Sequence, residues 1–281
     1  MEYVRWDERP TLRKPVLIAA FEGWTDAAEA ATTAARYLRD RWGARPFASI
    51  DPEEFYDFTA TRPQVRLTAG LVREIIWPAN EFYAASLMES PHDVILLIGN
   101  EPQLRWRAFC GALLDVLNEF EVEMVITLGA LLADVAHTRP VRVTGSAASP
   151  ELVERLGLRR SRYEGPTGIT GVLHDALGKV GVPSASLFAA VPHYVAATPS
   201  PKAALELVRQ ATSLIEVPVV TADLTQQAED YERQVSEVVE SDEDVSAYVT
   251  RLEENTDAEV LELTSGDELA AELQRFLRDQ Q

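Results

Sequence analysis

The chain has 281 residues, a mass of 31.1 kDa, 46% hydrophobic and 25% charged side chains and a mean hydropathy of −0.11; this is an ordinary globular balance that excludes collagen-like, disordered and disulfide-framework classes. Its net charge of −19 is uneven, because residues 221–281 hold 18 acids and 4 bases whereas residues 1–220 hold 27 and 22. Such a field disfavours nucleic acid and anionic membrane surfaces as partners, and a single cysteine, Cys110, fits a reducing compartment.

In chain order, the charged N-terminal stretch MEYVRWDERPTLRKP has no apolar signal region, and no apolar run approaches the ~20 residues of a membrane helix. A cytoplasmic location is expected. Val16–Phe21, Ile75–Trp77, Val94–Gly99, Met124–Leu128, Val141–Gly145 and Ala185–Val191 read as strands. Most are continuously apolar, as in strands buried on both faces. Residues 51–68 read as irregular, with room for an antiparallel excursion.

Helical spacing appears over residues 26–41, with Thr25 or Asp26 as cap, over 105–120, and over 201–215 behind Pro201. Strands alternating with helices predict an α/β domain over 1–220, a doubly wound and mostly parallel sheet. After Pro218, Leu224, Tyr231, Val238, Val245 and Leu252 recur every seven residues, with Ala228, Val235 and Val249 between them. The acidic cluster Ser241–Asp244 interrupts this seam and suits the cap of a second helix, so 221–281 reads as an acidic helical appendage. Ser265 and Glu268 form a capping box before a last helix carrying Leu269, Leu273, Phe276 and Leu277. These helices either pack on their own core or present Leu224, Tyr231, Val235, Val238 and Val249 to a second copy or a partner.

Polar residues gather after the strands. Glu22 and Trp24 follow the first, Asn100 and Glu101 the strand at 94–99, His137 lies beyond that at 124–128, and His193 follows that at 185–191. In an open parallel sheet such carboxyl ends form one rim where ligands bind. The stretch SRYEGPTGITG adds Arg162, Tyr163, Glu164 and Thr167 before a helix starting near Ile169; it reads either as a tight turn or as an anion-binding loop. It is neither a Walker loop nor a dinucleotide fingerprint. Glu22, Glu101 and Glu164 would suit acid–base work if the fold brought two together.

Other chemistry is sparse. Cys110 falls in an apolar helical pattern, Ser146 and Ser149 lack a nucleophile elbow, and the four histidines have no metal-ligand spacing. No metal or cofactor is expected. His174 reads as a surface or core-edge side chain, and Trp24, Trp77 and Trp106 as core anchors rather than stacking platforms.

FEGWTDA (21–27), DPEEFYDF (51–58) followed by Arg62-Pro63, GNEP (99–102) with Trp106-Arg107, HTRPV (137–141), SRYEGPTGI (161–169), GVLHDA (171–176) and VPHYV (191–195) recur in this order in one group. Over residues 14–255 the chain resembles the actinobacterial branch of the proteasome assembly chaperone 2 family. The resemblance implies a fold like that of nucleoside phosphorylases, homo-oligomers, and a role in assembling proteasome rings; it implies no catalytic residues. Relatives that engage proteasomes can carry a C-terminal hydrophobic-Tyr-x tail, whereas this chain ends Leu277-Arg278-Asp279-Gln280-Gln281, so a proteasome contact is expected through another surface, the acidic C-terminal helices. The expectation is therefore a non-enzymatic assembly factor, acting on itself and on proteasome subunits or another protein. The alternative is a small-molecule-binding protein, or a phosphorylase- or hydrolase-like enzyme using the rim.

Overall fold

The computed structural model describes residues 2–68, 72–147, 153 and 165–264. Ten strands and six helices of four residues or more alternate among these residues: β1 (Val4–Trp6), β2 (Val16–Glu22), α1 (Ala30–Arg41), β3 (Arg45–Ile50), β4 (Gln64–Thr68), β5 (Val72–Ile76), β6 (Asn80–Ala85), β7 (Val94–Asn100), α2 (Trp106–Glu119), β8 (Met124–Ala133), β9 (Val143–Ala147), α3 (Ile169–Val180), β10 (Ser184–Pro192), α4 (Pro201–Leu214), α5 (Ala222–Glu240) and α6 (Glu243–Thr264). Eight strands form one sheet in the order β1-β3-β6-β7-β2-β8-β10-β9, and β4 and β5 form a separate ribbon.

The four central strands, β7, β2, β8 and β10, are parallel. Antiparallel strands flank them, β1, β3 and β6 on one side and β9 on the other. Alternate residues of the central strands enter opposite cores, which explains their unbroken apolar character. Ile18, Ala20, Leu96 and Ile126 face α1 and α4, while Leu17, Ala19, Leu97 and Val125 face α2 and α3. The fold is thus an α/β sandwich of helices on both sheet faces. The edge strands β1, β3 and β6 carry aromatic packing instead: Phe47 meets Phe82 at 6.0 Å and Phe120 at 5.2 Å. Their short, mixed patterns left no strand signal in the sequence, and Pro46 blunted that of β3. Of the excursion expected in 51–68, Gln64–Thr68 forms β4, which pairs antiparallel with β5 beyond that range, and the strand expected at Ile75–Trp77 falls at the end of β5 in this separate ribbon.

Local chemistry sets the helix starts. The Asp26 carboxylate accepts the Ala31 and Thr32 N–H groups at 2.7 and 3.2 Å, and Ser200 Oγ accepts that of Ala203 behind Pro201. Asp242 Oδ1 accepts the N–H groups of Asp244 and Val245 at 3.0 and 3.2 Å, turning α5 into α6.

Residue 220 is no break in packing. Leu224 and Ala228 of α5 belong to the same buried cluster as α1 and α4, and Tyr231, Val235, Val239, Val249 and Leu252 close a further cluster around Ala136. Leu224, Tyr231, Val235 and Val249, the candidates for an intermolecular seam, are therefore buried by their own chain. Val238 is 69% exposed, and Val239 takes the inward place. At 100° per residue the two lie about 50° to either side of the seam's mean direction, and α6 packs on the Val239 side. The helix expected after Ser265 lies outside the described residues.

Candidate functional site

The chain leaving β2 crosses to the face of α1, and the chain leaving β7 crosses to the face of α2. Neighbouring parallel strands whose connections diverge open a crevice at their carboxyl ends. Here that crevice is a cleft of about 850 Å³ lined by Glu22, Gly23, Trp24, Asn100, Glu101 and Trp106, with Arg62, Gln64, Ile76 and Trp77 from the base of the ribbon as a further wall. Four candidates, Glu22, Trp24, Asn100 and Glu101, meet there.

Glu101 is committed to the scaffold. One carboxylate oxygen accepts the Trp24 N–H at 3.1 Å and the other accepts the Ile169 N–H at 2.8 Å, so a single side chain ties the loop after β2 to the first turn of α3. A carboxylate at a helix N-terminus is also favoured by the helix dipole. The fit is tight: a Cβ on Gly23, whose φ is +148°, would lie 2.9 Å from the Glu101 Cβ, and one on Gly168 would lie 2.7 Å from its Oε1. These glycines let backbone approach the carboxylate.

Glu22 is freer. Among the described residues it is held by Arg36 at 3.5 Å and the Asn100 amide at 3.4 Å. The Asn100 carbonyl accepts from the Tyr56 hydroxyl at 2.7 Å and from the fully buried Asn80 amide at 3.2 Å, which locks the end of β7. Burial raises the Tyr56 hydroxyl's pKa, keeping it a neutral donor.

Trp24 and Trp77 correct the sequence reading. Expected as core anchors, they stand 58% and 49% exposed and line the cleft, and Trp77 is steadied edge-on by Phe58 at 4.9 Å. Trp106 is half-buried and donates its indole N–H to the Pro102 carbonyl. Arg62, Gln103 and Trp77 were missed as lining residues; the Trp77-Pro78 pair closing an apolar strand was the available signal.

The histidines lie apart, at the ends of β8 and β10 under α5 and α6. His137 is buried, with Nδ1 2.8 Å from the Tyr194 hydroxyl and Nε2 3.0 Å from Ser236 Oγ, and burial lowers its pKa. His193 lies 3.3 Å from Asp134 and edge-on to Tyr194 and Tyr248. The two fasten the helical hairpin to the rim and do not line the cleft of Glu22 and Glu101. One rim therefore holds two separate groups, because β2–β7 and β8–β10 end at different places along it. Thr167 is exposed just before α3, and Arg162, Tyr163 and Glu164 lie outside the described residues.

His174 is half-buried, and both ring nitrogens are bonded, to Thr127 Oγ1 and Ser184 Oγ at 2.8 Å each. Burial pushes its pKa down to about 4, so the ring is neutral. The Cys110 thiol is buried and pushed up to about 11, which removes its nucleophilic form at neutral pH. Among the described residues no cluster of His, Cys, Asp or Glu has metal-binding geometry, and no helix is long and apolar enough to cross a membrane.

Comparison with known proteins gives a consistent answer. The PAC2 family model matches residues 20–239. A Streptomyces avermitilis PAC2 family protein of known structure is 44% identical, with 84% of this chain and 99% of that chain covered and a TM-score of 0.78. A Mycobacterium tuberculosis proteasome-assembly chaperone homologue is 45% identical, with 83% and 99% covered and a TM-score of 0.77. Pyrococcus furiosus PbaB, an archaeal proteasome activator, shares the fold at 20% identity, with 85% and 99% covered and a TM-score of 0.70. No curated protein matches. With more than three quarters of its length inside the family model and close identity to two actinobacterial members, the chain belongs to the PAC2 family.

Proposed function

We propose that this chain is a non-catalytic assembly factor of the cytoplasm that acts as a homo-oligomer and holds protein subunits, those of the proteasome being the first clients to test. The observation that carries the reading is the 45% identity to a proteasome-assembly chaperone homologue across nearly that whole chain. The rim supports it, because Glu101 and His137 use their polar atoms to hold loops and helices. The exposed tryptophans and the ribbon supply the apolar surface that protein recognition needs.

The test is native mass spectrometry of the purified chain, alone and mixed with proteasome α- and β-subunits of its own host. The expected result is a homo-oligomer that co-migrates with subunits before rings close. A monomer that leaves every subunit free would remove the reading. The second reading, a small-molecule site, is favoured by the 850 Å³ cleft at the diverging connections, and a metabolite retained through native purification and lost with Trp24→Ala would support it.

A further inference from the structure

The β4–β5 ribbon stands off the main sheet with both faces in solvent. Val65 pairs with Ile75 and Leu67 with Arg73, and residues directly opposed across an antiparallel pair share a face. That face therefore carries three aliphatic side chains, 59%, 59% and 49% exposed for Val65, Leu67 and Ile75, and one guanidinium. A two-stranded ribbon alone in water is marginal, and this one has an uncovered apolar face.

Charge narrows what covers it. Residues 64–76 hold Arg66 and Arg73 against Glu74, a net of +1, in a chain whose total is −19. Arg66 and Arg73 form no ion pair among the described residues. The complement is a concavity with aromatic and carboxylate side chains, and the chain itself has one: the cleft sets two half-exposed indoles and the Glu22 and Glu101 carboxylates against the single guanidinium of Arg62 at its wall. Indole faces accept guanidinium groups by cation–π contact and aliphatic chains by burial, and a carboxylate pairs with arginine in a fork.

We propose that the β4–β5 ribbon of one copy docks in the β2–β7 cleft of a second copy, with Val65, Leu67 and Ile75 against Trp24 and Trp77, and Arg73 towards Glu22. This rests on the homo-oligomer part of the function proposed above and locates its interface. It also gives the Glu22–Trp24 pair a role as a receptor for another protein's side chains. The cleft in a single copy is then one half of a joint.

The test places the photo-crosslinker p-benzoylphenylalanine at Leu67 in the full chain, mixes 14N- and 15N-labelled protein, and maps the products by mass spectrometry. Mixed-isotope crosslinks from position 67 to the peptides holding Trp24 or Trp106 are expected. Glu22→Arg and, separately, Arg73→Glu are expected to weaken self-association on the order of tenfold or more in sedimentation velocity, with unchanged circular dichroism as the folding control. Mixed-isotope crosslinks to another surface would overturn the inference and leave the homo-oligomer standing. A monomer with only same-chain crosslinks would overturn both. Native co-migration with client subunits is read independently of either result.

Discussion

His174 makes the stability of this protein depend on pH in a calculable way. Its ring is neutral in the fold because both nitrogens are bonded inside and the pKa is about 4, against about 6.5 in an unfolded chain. Between these values the unfolded chain binds a proton that the folded protein does not. Stability is therefore fully present above about pH 6.5 and falls as pH drops towards 4, by about 1.4 kcal/mol per pH unit. The whole interval amounts to about 2–3 kcal/mol after allowance for the residue's partial exposure, a large share of the 5–15 kcal/mol typical of a domain. Urea unfolding of the wild type and of His174→Gln from pH 7 to pH 4 isolates this contribution, since other titrating groups are common to both. The variant starts less stable and loses less on acidification, so the two curves converge by about 2 kcal/mol or more. Curves that stay parallel through this interval would show that the ring protonates in place, and would refute the argument.

Other outcomes follow from the same packing. Glu101→Gln keeps the shape but removes the charge that two backbone N–H groups share, and should cost about 1–3 kcal/mol in chemical denaturation. Gly168→Ala drives a methyl to 2.7 Å from the same carboxylate and should destabilise, whereas Gly178→Ala meets open space within α3 and should stabilise by about 0.5–1 kcal/mol. Tyr231→Ala empties a buried site and should cost about 3–5 kcal/mol, while Val238→Asp should lie within about 0.5 kcal/mol of wild type; thermal melts of the pair check which valine faces inward. Cys110 should react with a thiol reagent at neutral pH only as fast as the fold opens, so adding denaturant should accelerate its labelling steeply.

Much of this arrangement was legible residue by residue. Unbroken apolar runs announced β2, β7, β8 and β10, because strands covered on both faces have no polar alternation to show. The starts of α3 and α4 were readable near Ile169 and at Pro201, and the turn into α6 from the acidic cluster Ser241–Asp244 that interrupts the seam. The β1–β3–β6 edge was not, since three-to-six-residue strands held by aromatic contacts leave no periodicity. The carboxyl ends of β7, β2, β8 and β10 lie along one edge because these strands run parallel, but the separation of Glu22 and Asn100 from His137 and His193 along that edge was not readable.

Periodicity and capping are local: side chains three, four or two positions apart share a face whatever the rest of the chain does, so the amino-acid order alone determined the helices, the central strands and the acid-rich hairpin. Which distant segments meet depends on strand order and on the direction each connection takes. Only the tertiary structure could bring Glu22 beside Asn100 and away from His137, turn Val239 inward rather than Val238, or leave Trp24 and Trp77 in solvent beside a ribbon without a cover.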